Sequence, residues 1–331
     1  MFKKSDIIEK GYIDERIPEG TDIKGDIEKM KKEKDVLILA HYYQTADIQD
    51  IADFVGDSLD LSRKAEASKA GIILFAGVHF MAETAKILSP GAKVLLPDLN
   101  AGCSLSDTCP PEEFKKFLAK HPGRTVISYI NSSAEIKALS DIICTSANAY
   151  KIIESLAADE KIIFAPDRNL GNYVSNLVKR DMIIWQGACH VHEEFSLESI
   201  LELKNIHKEA KIIVHPECEL PVRMIADFIG STGAMLKYIK TDDSNKYIVG
   251  TEPGIIHQMS KARPDKTFIP APGKDSTCAC SECNFMKLIT MKKLYLTLKY
   301  EEPEIVMDED LMERAGRPIR RMLDISDRLG L

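Results

Sequence analysis

What is scarce in this sequence narrows its possible roles. Its 331 residues hold a single tryptophan and no apolar run of membrane-spanning length. The opening stretch, MFKKSDIIEKGYIDERIPEG, lacks the unbroken apolar core of a secretory signal, so the protein is expected in the cytoplasm. No basic run occurs, and 51 acidic residues outnumber 44 basic ones for a formal charge of −7, a poor match for nucleic acid or an anionic membrane. Structural zinc usually takes closely spaced Cys or His pairs, and the only cysteines close together are Cys278, Cys280 and Cys283. What is present is globular: 44% hydrophobic and 29% charged residues, in a length that suits two or three domains.

Eight cysteines are present, at 103, 109, 144, 189, 218, 278, 280 and 283. In a reducing compartment that number argues for metal or redox chemistry at some of them rather than for a disulfide framework. Cys109, Cys144 and Cys218 fit better as small buried apolar side chains.

The chain repeats itself three times. Ala52-Asp53-Phe54-Val55-Gly56-Asp57-Ser58 aligns with Ser140-Asp141-Ile142-Ile143-Cys144-Thr145-Ser146 and with Ala226-Asp227-Phe228-Ile229-Gly230-Ser231-Thr232. The intervals are 88 and 86 residues. The same offsets relate VLILA from Val36, TVISY from Thr125 and KIIVH from Lys211, which are β-branched apolar runs of buried-strand type. Second strands are predicted from Ile72, Lys161 and Lys246, and third strands from Lys93, Asp181 and Lys266, with helical stretches between, such as Phe80–Leu88. Lys24–Lys34 reads as a solvated helix, and Met307–Leu329 as a helical segment interrupted by Pro318.

Strands alternating with helices imply an α/β fold: three α/β/α repeats, each with a short parallel sheet. A pseudo-threefold arrangement would aim the three sheet edges at one central site. The expected divisions are residues 1–107 (first repeat with an N-terminal helix), 108–192, 193–285, and a C-terminal helical segment, 286–331, packing back on the core. Asp53, Asp141 and Asp227 are read as structural, bonding nearby backbone.

Ligands of such sheets bind outside the carboxyl ends of the strands. Polar clusters recur there: His41-Tyr42-Tyr43, Tyr129-Ile130-Asn131 and His215-Pro216-Glu217. So does one cysteine position per repeat: Cys103, Cys189, and one of Cys278, Cys280 or Cys283. Repeat spacing favours Cys278, and a longer loop would present Cys283. Three thiolates around a four-iron cluster leave one iron open to act as a Lewis acid. Among the strand-end residues His and Tyr can donate to a carboxylate, Asn can donate and accept, and Glu217 is the natural general base. Ser58, Ser146 and Thr232 stand just before helical segments, where hydroxyls and backbone N–H groups take anions.

Together these motifs resemble the quinolinate synthase (quinolinate synthetase A) family over nearly the whole chain. The resemblance is carried by Ala40-His41-Tyr42-Tyr43-Gln44, Gly56-Asp57-Ser58, Tyr129-Ile130-Asn131, Ser146-Ala147-Asn148 and Cys189 in GACHVHE. It continues through His215-Pro216-Glu217-Cys218, Ser231-Thr232-Gly233 and Cys283 before Asn284-Phe285-Met286. It implies condensation of iminoaspartate with dihydroxyacetone phosphate to quinolinate, with loss of phosphate and two waters, in NAD biosynthesis. It further implies a 4Fe-4S cluster on Cys103, Cys189 and Cys283, with Cys278 and Cys280 outside the ligand set. Binding would fall to His41, Ser58, Tyr129-Ile130-Asn131, Ser146, His215-Pro216-Glu217 and Thr232, with Glu217, Tyr43 and His41 catalytic. The aspartate-oxidising enzyme that supplies iminoaspartate is a conceivable partner. Another three-cysteine cluster enzyme, a cluster-based iron or oxygen sensor and a zinc-stabilised scaffold are the alternatives.

Overall fold

The computed structural model describes residues 4–274 and 281–331; Cys278 and Cys280, and with them the spacing preference for Cys278, lie outside the described residues. The chain folds as two compact units. One comprises Met1–Cys103 and Asn284–Gly316, the other Ser104–Cys283 and Arg317–Leu331. Among the described residues no helix is long and apolar enough to cross a membrane.

The first unit contains one all-parallel sheet of β1 (Val36–His41), β2 (Phe54–Gly56), β3 (Ile72–Ala76) and β4 (Lys93–Leu95). The second unit contains two. One is β5 (Thr125–Tyr129), β6 (Ile142–Cys144), β7 (Ile162–Ala165) and β8 (Met182–Ile184); the other is β9 (Lys211–Val214), β10 (Phe228–Ile229), β11 (Lys246–Gly250) and β12 (Thr267–Pro270). All three sheets run second strand, first, third, fourth. The α/β class and the threefold repetition expected from the sequence are therefore present. The predicted strand count of three per repeat is corrected to four. The added strands β2, β6 and β10 are only two or three residues long, too short for periodicity to reveal.

The recurrent aspartate explains why such short strands pair. Asp53, Asp141 and Asp227 each accept from a first-strand N–H, at Ile38, Val126 and Ile212, all at 2.8 Å. Each also donates its own N–H to the carbonyl of that same residue. Two bonds per aspartate thus pin the second strand to the first at one register. Strands such as β3 and β7 are buried along their whole length, as apolar β-branched runs covered by helices on both faces should be.

The last helix, Glu309–Arg328, runs straight through Pro318 instead of breaking there. Proline removes one backbone bond at a cost of about 3 kcal/mol. Ala315, Ile319, Met322 and Leu323 are buried along this helix, and each large apolar side chain contributes about 1.5–3 kcal/mol, which outweighs the loss.

A sheet ordered second-first-third-fourth reverses its winding between the first and third strands. The crevice beyond their carboxyl ends is where such folds bind ligands. That edge carries His41, Tyr129 and His215 at the first strands, and Asp167 and Thr251 just past β7 and β11.

Candidate active site

In the second unit the β9 edge supplies the centre of a buried polar cluster. Glu217 is 2% exposed. Tyr129, the last residue of β5, donates its hydroxyl to Glu217 Oε1 at 2.5 Å. His192 Nδ1 lies 3.1 Å from Glu217 Oε2, and His192 Nε2 lies 3.0 Å from Thr251 Oγ1. The rings of His192 and His215 stack at 4.7 Å. His215 Nε2 is 3.1 Å from Ser146 Oγ, while its Nδ1 accepts the backbone N–H of Glu217 at 3.4 Å. Because Nδ1 is occupied as an acceptor, the neutral ring carries its proton on Nε2 and donates to Ser146.

The same latch recurs in the first unit, where His41 Nδ1 accepts the N–H of Tyr43 at 3.2 Å and the two rings meet edge to face at 4.4 Å. Tyr43 is half-buried, and its carbonyl accepts from Lys287 Nζ at 2.7 Å.

Burial alone would push the Glu217 carboxyl up. His192 beside the carboxylate and the Tyr129 hydroxyl work the other way and hold the acid below the usual carboxylate range. Asp167 moves the other way: fully buried and facing the Glu217 charge, it is raised well above the usual carboxylate range. Of the two acids Glu217 is the more readily ionised and Asp167 the more readily protonated. Asp167 caps the helix Arg168–Val178, its Oδ1 accepting from Leu170 N at 2.7 Å, and Oδ2 finds no hydrogen-bond partner among the described residues. Gly187 makes room for this corner. A Cβ there would lie 2.1 Å from Thr108 Oγ1 and 2.7 Å from the Pro166 carbonyl, which accepts the Gly187 N–H. Only glycine lets the segment leading to Cys189 run against Pro166-Asp167.

The remaining predicted binding residues sit at the same kind of edge. Ser58 and Thr232 are the first residues of the helices Ser58–Glu66 and Thr232–Thr241, capped by Asp57 and Ser231. Ser146 lies further out, in the turn before the helix Ala149–Glu154. Ile130 and Pro216 are buried beside Tyr129 and His215, and Asn131 Oδ1 has no hydrogen-bond partner among the described residues.

The thiols fall into two classes. Cys109, Cys144 and Cys218 are buried, as expected, and burial raises all three thiols, Cys109 to about 12. Cys103, Cys189 and Cys283 are half-buried, and each directly precedes a four-residue helix: Ser104–Asp107, His190–Glu193 and Asn284–Lys287. Cys283 thus shares with Cys103 and Cys189 its place just before a short helix. Cys189 Sγ, an imidazole nitrogen of His192 and a carboxylate oxygen of Glu217 lie within 4.8 Å of one another and could hold a metal ion.

Three members of this cluster were not singled out from the sequence: His192, Thr251 and Asp167. His192 was within reach, standing three residues after Cys189 in GACHVHE. Thr251 and Asp167 carry no local signal, since their place follows from the ends of third strands whose partners are distant in sequence.

The quinolinate synthetase A protein (NadA) family model matches residues 25–324. Among similar curated proteins, the quinolinate synthase of a Synechococcus strain is 59% identical over 305 residues, 92% of this chain and 95% of its own length. That of Nostoc punctiforme is 60% identical over 300 residues, 91% and 92% of the two chains. That of Chloroherpeton thalassium is 57% identical over 305 residues, 92% and 95%. With a match over most of its length to the family model and to relatives of this similarity, this chain belongs to the quinolinate synthetase A family.

Proposed function

We propose that this enzyme is a quinolinate synthase, condensing iminoaspartate with dihydroxyacetone phosphate to quinolinate, phosphate and two waters, for NAD biosynthesis. The observation that carries the chemistry is Glu217: a buried carboxylate with His192 against one oxygen and the Tyr129 hydroxyl donating to the other, at the sheet edge where ligands bind.

One thiolate from each repeat, Cys103, Cys189 and Cys283, would hold a 4Fe-4S cluster. The donor set suits it: these three thiols are half-buried and equivalent by repeat, whereas burial keeps the other three described cysteines protonated. When bound, such a cluster supplies one iron without a protein ligand, a Lewis acid for a substrate oxygen. Free thiols are kept reduced in the cytosol, so a cytoplasmic location goes with this reading.

The protein residues bind and move protons. His41, Tyr129, Asn131 and His215 offer neutral donors to the carboxylates of iminoaspartate, and Ser58, Ser146 and Thr232 offer hydroxyls to anionic groups. The enamine carbon of iminoaspartate attacks the triose, phosphate departs, and the amine closes on the carbonyl. Glu217, in the form a base needs, takes the proton from the ring carbon next to the departing hydroxyl. Tyr43 orients or protonates the intermediates. His192 and His215 then stand beside a newly protonated acid and can pass the proton outward.

A second, narrower possibility comes from the Cys189, His192 and Glu217 donors, which could hold a single cation. The deciding experiment uses protein purified without oxygen, assayed for iron, acid-labile sulfide and quinolinate formation. About four iron and four sulfide per chain are expected, lost in Cys103→Ala, Cys189→Ala and Cys283→Ala. Glu217→Gln should bind substrate and form no aromatic product; wild-type turnover by that variant removes Glu217 from the mechanism.

A further inference from the structure

Three buried side chains occupy one position of the repeat. Gln49, Lys137 and Arg223 are each the fourth residue of the helix after the first strand, in Ala46–Ile51, Ala134–Ala138 and Leu220–Met224. Each lies eight residues past the strand-end residue His41, Tyr129 or His215. Their exposures are 2%, 0% and 6%. Lysine is almost never found fully buried unless its charge is paired, so Lys137 calls for a reason.

The first repeat supplies it. Gln49 Nε2 donates to the carbonyls of Tyr42 (2.9 Å) and Gln44 (2.8 Å), both in the loop that carries Tyr43. Lys137 Nζ donates to the carbonyl of Ser132, the counterpart of Gln44, three residues past Tyr129. A loop leaving a buried strand end has carbonyls turned away from water that need donors. The helix side chain provides them in both repeats, once as an amide and once as an ammonium. In the second repeat the bonds continue to the site. Ser132 Oγ donates to the Tyr129 carbonyl at 2.9 Å, Ser132 N donates to the Ile130 carbonyl at 2.8 Å, and the Tyr129 hydroxyl donates to Glu217.

We infer that Lys137 is a positioning residue that holds the Tyr129–Ser132 loop, and through it Tyr129 and Asn131, in their ligand-binding geometry. This rests on the site being the quinolinate-forming one. Lys137 acts as a hydrogen-bond donor to the loop and touches no reacting atom. The amide of Gln49 makes the equivalent bond without a charge, so a neutral donor can serve here, while Arg223 in the third repeat lies over the Tyr173 ring.

The test compares full-length wild type, Lys137→Gln and Lys137→Met, purified without oxygen. Two quantities are read: KM and kcat with iminoaspartate generated in the assay, and hydrogen exchange of the backbone amides of residues 129–134. Lys137→Met should raise KM about tenfold with a smaller change in kcat, and should speed exchange in that loop. Lys137→Gln, carrying the first-repeat solution, should stay within about twofold of wild type in KM and keep its slow exchange. The inference is overturned if Lys137→Gln is as impaired as Lys137→Met, or if Lys137→Met matches wild type in both KM and exchange. Should Lys137→Met not fold, Lys137→Gln decides alone: wild-type KM and exchange support the donor role, and a tenfold rise in KM refutes it. If the wild type makes no quinolinate, the proposed activity fails, and the exchange comparison still decides the role of Lys137.

Discussion

His192 and Glu217 face each other across 3.1 Å, from Nδ1 to Oε2, with both side chains almost wholly buried. A carboxylate shut away from water needs such a partner to stay ionised. In the proposed mechanism His192 acts through Glu217.

That placement separates two roles for His192. As a partner of Glu217, His192→Ala should keep iron and sulfide at wild-type content and lower turnover about 10–100-fold. As a ligand of a lone cation, the same variant should lose its metal while Cys103→Ala retains it. Metal analysis of the two variants side by side distinguishes these.

Thiol accessibility gives a second prediction. In the native protein stripped of iron, iodoacetamide should label Cys103, Cys189 and Cys283. Cys109, Cys144 and Cys218, whose thiols burial keeps protonated, should react only after unfolding. Peptide mapping by mass spectrometry reads each site; rapid native labelling of Cys144 would contradict the burial of β6.

The three strand-pinning aspartates should be energetically alike. Asp53→Ala, Asp141→Ala and Asp227→Ala each remove one acceptor from a first-strand N–H and should each destabilise by about 1 kcal/mol. Urea unfolding of the three variants measures this. A negligible effect at all three would mean that the second strands pair without their help.

Acid sensitivity should centre partly on Asp242, at the amino-terminal edge of the third sheet. It accepts from Lys211 Nζ, from the Tyr247 hydroxyl at 2.7 Å and from Ser244 N at 3.0 Å. Burial works against its charge, yet these donors hold the carboxyl below the usual carboxylate range. A folded-state pKa below the unfolded value of about 3.9 means that the contribution is complete above that pH and fades as pH falls through it. Denaturation midpoints between about pH 6 and pH 3 should therefore drop less steeply for Asp242→Asn than for wild type. Equal slopes would show that Asp242 is not differentially ionised on folding.

Much of this was legible in the residue order. The strand-end clusters around His41, Tyr129 and His215, the structural role of Asp53, Asp141 and Asp227, and the burial of Cys109, Cys144 and Cys218 all follow from pattern and spacing. Other features were not. β10 is two residues long and has no periodicity of its own. Pro318 marked a helix end that packing overrode. Repeat spacing pointed to Cys278, which lies outside the described residues, while Cys283 precedes a short helix as Cys103 and Cys189 do.

The sequence by itself determined the threefold α/β repetition and the strand edge at which most of the polar side chains gather, because periodicity and repeat register are local properties of the chain. Only the tertiary structure decided how those side chains are partnered. Strand order sets the ends of β5 and β7 side by side in one sheet and those of β9 and β11 in another, and side-chain contacts in the second unit join the two. Glu217 thereby meets Tyr129 from 88 residues away, and His192 meets Thr251 from 59 away. Which carboxylate is the more readily ionised, which imidazole nitrogen accepts, and why a lysine is buried at 137 are consequences of those meetings, which no local pattern encodes.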